Sequence, residues 1–99
     1  MYGGDGDDTM FGGNDNDDMF GGDGDDHIDG NHHEDELWGG AGNDVIIGNK
    51  GDDVIHGEDG DDILVGGKNE DGDNVNNLYG AQADYIYGGA GDDAMFGED

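Results

Sequence analysis

The chain has 99 residues, 30% of them hydrophobic, and a formal net charge of −26 from 28 acids against two basic residues. Such a length permits one domain at most, and so small an apolar fraction cannot build an ordinary globular core. The charge excludes nucleic acid and anionic membrane surfaces, which are bound through cationic side chains, and calls for multivalent cations or a basic partner.

There is no Cys, so disulfides and thiol chemistry are absent, which suits an extracellular setting. No apolar stretch is long enough for a signal peptide or a membrane span. From Gly3 to Val65 the sequence repeats every nine residues for seven units without a slip. The sixth position is always Asp (Asp8, Asp17, Asp26, Asp35, Asp44, Asp53, Asp62), and the eighth is Met10, Met19, Ile28, Leu37, Ile46, Ile55 or Leu64. Residues 66–70 then read as an insertion. Residues 71–87 read as two degenerate units: 71–79 keeps Leu78 but has Asn76 for Asp, and 80–87 is one residue short, with Asp84 and Ile86. Residues 88–96 restore the pattern with Asp93 and Met95. A single module over 1–99 is expected, cut from a longer protein, because the repeat starts without a cap and a new unit opens at Gly97.

Within a unit, six residues rich in Gly, Asp and Asn are turn chemistry. Three residues with an apolar centre are a minimal strand whose middle side chain faces opposite to its neighbours. Two units make a coil of eighteen residues, and stacked coils give an all-β fold, a right-handed parallel β-roll in which two sheets enclose the eighth-position residues. Helix is not supported, since Gly recurs too often and no 3.6-residue period appears.

Alternate units place their turns on opposite sides. Asp8, Asp26, Asp44 and Asp62 therefore form one carboxylate ladder, and Asp17, Asp35 and Asp53 the other. Neighbours in a ladder lie roughly 4.8 Å apart, where two carboxylates repel by about 3.5 kcal/mol at an effective dielectric near 20. A hard dication between turns reverses that sign. Calcium takes six to eight oxygens in flexible geometry, and Gly-rich turns expose carbonyls, whereas magnesium keeps its waters. The small core adds to the argument that metal binding and folding are one event.

The nonapeptide GGxGxDxUx, with U apolar, resembles the repeats-in-toxin (RTX) calcium-binding repeat, and the resemblance spans Gly3 to Phe96. It implies several Ca2+ ions, each held by positions two, four and six of one turn and positions one, three and six of the turn eighteen residues on. On one side the implied sites are Gly4, Gly6, Asp8, Gly21, Asp23 and Asp26; Gly22, Gly24, Asp26, Gly39, Ala41 and Asp44; and Gly40, Gly42, Asp44, Gly57, Asp59 and Asp62. On the other side they are Gly13, Asp15, Asp17, Gly30, His32 and Asp35, then Asn31, His33, Asp35, Gly48, Lys50 and Asp53, with Gly51 at the fourth position of the Asp53 turn. Asp15 and His33 stand where the repeat has Gly, which questions those two turns. Asp53 should next face Asn76 at a weak or empty site, Asp84 should approach Asp62, and Asp93 should face only Asn76. The resemblance also implies a secreted, extracellular protein exported by a type I channel, unfolded in the cytosol and folded by calcium outside, with the secretion signal lying beyond Asp99.

Other chemistries fare worse. Residues 32–36 (HHEDE) lack the HExxH spacing of a zinc site, and Asp71, Asp73 and Val75 begin like an EF-hand loop but fail at its third acid, with no flanking helices expected. With no Ser or Cys, a nucleophilic triad is excluded, and a non-enzymatic module is expected. Ice binding in the family relies on a Thr ladder, and the only Thr here is Thr9. Outward strand positions predict an aromatic ladder of Phe20, Trp38, His56, Tyr79 and Phe96 on one sheet. On the other they predict an apolar patch of Val45, Ile47, Ile63, Val65, Tyr85 and Tyr87, suited to a neighbouring domain or a second copy. The alternative role is an adhesive, polysaccharide- or receptor-binding module in which calcium is purely structural and the aromatic ladder makes the contact.

Overall fold

The computed structural model describes residues 1–68 and 85–96. Ten strands run in order: β1 (Tyr2–Asp5), β2 (Thr9–Gly13), β3 (Asp18–Asp23), β4 (His27–His32), β5 (Glu36–Ala41), β6 (Val45–Lys50), β7 (Val54–Asp59), β8 (Ile63–Lys68), β9 (Tyr85–Ala90) and β10 (Ala94–Phe96). Odd strands form one parallel sheet, β1-β3-β5-β7-β9, and even strands the other, β10-β8-β6-β4-β2. Successive units thus alternate between two sheets, and partners in a sheet lie eighteen residues apart, as in Met19↔Leu37 and Leu37↔Ile55. This is the expected two-sheet β-solenoid.

Most internal strands are six residues long, twice the expected length. Positions one to three continue the ladder, as in Gly22↔Gly40 and Asp23↔Ala41, because backbone pairing needs no side chain. Only positions four to six form the bend. Met19, Ile28, Leu37, Ile46, Ile55 and Leu64 are fully buried between the sheets and Met10 nearly so. Ile86 packs against this file. Leu78 lies outside the described residues. Met95 departs from expectation and is 53% exposed, since β10 is the edge strand of its sheet.

The repeat register holds through Lys68. Gly66, Gly67 and Lys68, read from sequence as part of an insertion, continue β8, with Asn49↔Gly67 and Lys50↔Lys68 paired. The next coil then arrives late: Val54 pairs with Tyr85 and Ile63 with Ala94, each 31 residues on rather than eighteen. This offset moves the outward residues. The aromatic ladder is Tyr2, Phe20, Trp38, His56 and Tyr87, with rings stacked 4.3–5.4 Å apart and within 11° of parallel. Phe96 is on the opposite sheet beside Val65, and Tyr79 lies outside the described residues. The apolar patch correspondingly loses both Tyr85 and Tyr87, which belong to β9 of the aromatic-ladder sheet, and gains Ala94 and Phe96 next to Ile63 and Val65. Of Tyr85, only its place in β9 is described.

Candidate metal centre

The sixth-position Asp of the inner coils are buried by the same local geometry, and Asp8, Asp17 and Asp93 toward the ends are half-buried. The chain bends at positions four to six, and the side chain turns back over the first Gly of its own unit. A Cβ on Gly39 would overlap Oδ2 of Asp44 and crowd the Gly57 carbonyl, so Gly is required there. Asp26, Asp35, Asp44, Asp53 and Asp62 are all 0–2% exposed.

The two carboxylate oxygens meet different fates. Oδ1 accepts the backbone N–H of the Asp one coil earlier: Asp8 to Asp26 at 2.8 Å, Asp26 to Asp44 at 2.8 Å and Asp44 to Asp62 at 2.9 Å. On the other side Asp17 donates to Asp35 at 2.8 Å and Asp35 to Asp53 at 3.0 Å. Oδ2 of Asp8, Asp17, Asp26, Asp35, Asp44 and Asp62 is buried and has no hydrogen-bond partner among the described residues. An unpartnered buried carboxylate oxygen is costly, and the group responds by holding its proton. Burial pushes Asp35 and Asp44 up to about 6, and raises Asp26 and Asp62. The N–H donated from the previous coil opposes the shift, while neighbouring carboxylates, Asp62 and Asp26 around Asp44, add to it.

The surrounding donors are backbone. Gly40 and Gly42 adopt φ of +117° and +130°, and a Cβ on either would overlap the carbonyl oxygen of Gly22 or Gly24 in the previous coil. Second- and fourth-position carbonyls thus abut the bare Cα atoms of the next turn, in cradles that any side chain would fill. Third-position carbonyls are anchored: Gly6, Gly24 and Gly42 donate to the carbonyls of Asp23, Ala41 and Asp59 at 2.6, 2.7 and 2.8 Å. Among the described residues, no three Asp, Glu or His side chains converge on one point. Each interval therefore offers two carboxylates and otherwise carbonyls, an all-oxygen set that fits a hard cation and not a nitrogen- or sulfur-seeking one.

The three intervals of the first side are regular: second- and third-position residues pair at eighteen-residue spacing, and the sixth-position Asp are joined rung to rung. The second side is less so. His33 keeps the left-handed turn at φ +79°, as do Asn31 and Asn49 at +77° and +76°, whereas Asp15 does not adopt a positive φ. Among the described residues, the fourth-to-third-position bond is missing there, both from Asp15 to His32 and from His33 to Lys50. His32 instead faces Lys50, Nε2 to Nζ at 3.4 Å, which leaves that cluster without the convergence a zinc site needs.

Two expectations change. Asp93, expected to face only Asn76, meets Asp62: its Oδ1 accepts the N–H of Asp62 at 3.0 Å, so Asp93 extends the first ladder in the place expected for Asp84. Asp84 and Asn76 lie outside the described residues, as does any site joining Asp53 to Asn76. The sequence reading also missed a second, exposed ladder at the fifth position. Asp25, Asn43, Asp61 and Asp92 each donate a backbone N–H to the side chain of Asp7, Asp25, Asn43 or Asp61 one coil below, at 2.8–2.9 Å. Its signal was present, because that position on this side is Asp or Asn in all five turns.

Comparison with known proteins supplies the family. The RTX calcium-binding nonapeptide repeat matches four times, over residues 1–19, 11–46, 38–73 and 80–99. No curated protein and no solved structure matches the chain. With the repeat matched over nearly all of its length and the solenoid formed by the described residues, the chain belongs to the RTX calcium-binding nonapeptide repeat family and is a calcium-binding module.

Proposed function

We propose that this module takes up a file of calcium ions along each side of the solenoid and folds as it does so, serving the export and extracellular stability of a larger protein. The carrying observation is the row of buried Oδ2 atoms of Asp8, Asp17, Asp26, Asp35, Asp44 and Asp62, which no donor among the described residues satisfies. On the first side the ions would lie between the Asp8 and Asp26, Asp26 and Asp44, Asp44 and Asp62, and Asp62 and Asp93 turns. On the second they would lie between Asp17 and Asp35 and between Asp35 and Asp53, with lower affinity because of Asp15 and His33. Bound calcium supplies positive charge to carboxylates that otherwise repel. The chain's own part is to present carbonyls through Gly-bare turns and to fix each carboxylate by the N–H of the preceding coil. At submicromolar calcium the ladders oppose stacking and the chain stays extended, a form suited to passage through a secretion channel. At millimolar calcium it folds. The repeat and solenoid are of a structural, non-enzymatic type, so the biological activity would reside elsewhere in the protein that carries them.

Far-ultraviolet circular dichroism tests this reading. A chelated sample should gain strand signal cooperatively on addition of millimolar calcium and not of magnesium. A spectrum unchanged by calcium overturns it.

A further inference from the structure

The outer face of the β1-β3-β5-β7-β9 sheet carries a groove of about 440 Å3 beside the aromatic ladder. Its lining combines the aromatic Phe20 and Trp38, glycines that include Gly22 and Gly40, and the carboxylates Asp23, Glu58 and Asp59. The groove has no cation of its own. The chain's only Lys or Arg residues, Lys50 and Lys68, are in β6 and β8 of the other sheet.

Glu58 is the unusual member. It occupies the second position, pairing with Gly40 below and Gly89 above, and holds φ at +78°. That region disfavours side chains other than those of Asn, Asp or His, and Gly fills it at Gly4, Gly22, Gly40 and Gly89 of the same sheet. A long carboxylate is kept where the backbone prefers none, at the edge of a groove that already holds two others.

We propose that this groove docks an extended basic segment of a partner protein, a reading that rests on the calcium-loaded fold. Lys or Arg methylenes would lie along the glycines and the edges of Phe20 and Trp38, with the cationic head among Asp23, Glu58 and Asp59. A sugar is a poorer occupant. Stacking a pyranose needs a free ring face, and both faces of Phe20, Trp38 and His56 are covered by neighbours in the ladder.

Trp38 is the chain's one Trp and lines the groove, so its fluorescence reports occupancy. The calcium-loaded chain is titrated with an octapeptide of alternating Arg and Gly, with its Glu-for-Arg counterpart and with a neutral β-glucan oligosaccharide. Saturable one-to-one binding of the Arg peptide alone is expected. Glu58→Gly should weaken it about fivefold, as loss of one charge at a docking site does, while relieving the backbone. Asp7→Asn removes one charge from the exposed fifth-position ladder, where Asn43 already serves, and should change binding less than twofold. Equal weakening by both variants would show diffuse attraction to an acidic chain and overturn the proposal, as would binding of the oligosaccharide instead. Circular dichroism on the same samples separates the two readings: strand signal without peptide binding overturns the groove alone, and no strand signal overturns both.

Discussion

The backbone N–H of Asp62 donates to Oδ1 of Asp93 at 3.0 Å across 31 residues, whereas the rung below it, Asp44 to Asp62, spans eighteen. Asp61 and Asp92 repeat the long offset in the fifth-position ladder. Both ladders therefore continue as though the thirteen additional residues were absent. Asp93→Ala should loosen the last coil only. Hydrogen exchange in calcium should speed up for amides of 85–96 and stay slow for β3 to β6.

First-position Gly residues should be as necessary as the Asp they face. Gly39→Ala puts a methyl into Asp44 Oδ2 and should cost about 1–3 kcal/mol in saturating calcium, the range of overpacking. Gly6→Ala meets no atom within 4 Å and carries only the strain of its φ of +102°, about 1–2 kcal/mol. Urea midpoints at fixed calcium rank the two variants.

The core file predicts a gradient along the axis. Ile46→Ala, at a fully buried position, should destabilise by about 2–5 kcal/mol, whereas Met95→Ala, half exposed on an edge strand, should stay within about 1 kcal/mol. Calcium-saturated thermal unfolding distinguishes them.

Acid should partly substitute for calcium. Asp35 and Asp44 hold protons up to about pH 6 in the metal-free fold, above their ordinary value of 3.8. Between those pH values the folded chain binds more protons than the unfolded one, so metal-free stability falls as pH rises and is recovered as pH drops. Calcium affinity moves the opposite way, because protons compete for the same oxygens. In chelator, strand signal should be greater at pH 4.5 than at pH 7.5, and the calcium midpoint should rise on acidification.

The sixth and eighth positions were legible because a nine-residue period fixes which residues stack and which face inward. The strand length was not, since Gly-Gly reads as turn chemistry although its backbone pairs across the sheet. The place of Tyr87, Phe96 and Asp93 was not legible either. A period can be fitted through degenerate units, but pairing decides which unit rejoins the stack, and here it is β9 that lies on β7. The Asp–Asp rungs escaped notice because a main-chain donor leaves no mark in side-chain identity. Repulsion alone was expected where one oxygen of each pair is in fact satisfied.

Asp44→Asn isolates the central claim, that sixth-position carboxylates hold calcium rather than merely brace the turns. Asn keeps an oxygen for the Asp26 N–H at nearly the same volume and removes the charge that two neighbouring ions would share. Calcium stoichiometry should be measured by isothermal titration beside strand signal in chelator. The account predicts two fewer ions per chain than the parent and a metal-free fold no less stable. An unchanged ion count would contradict it.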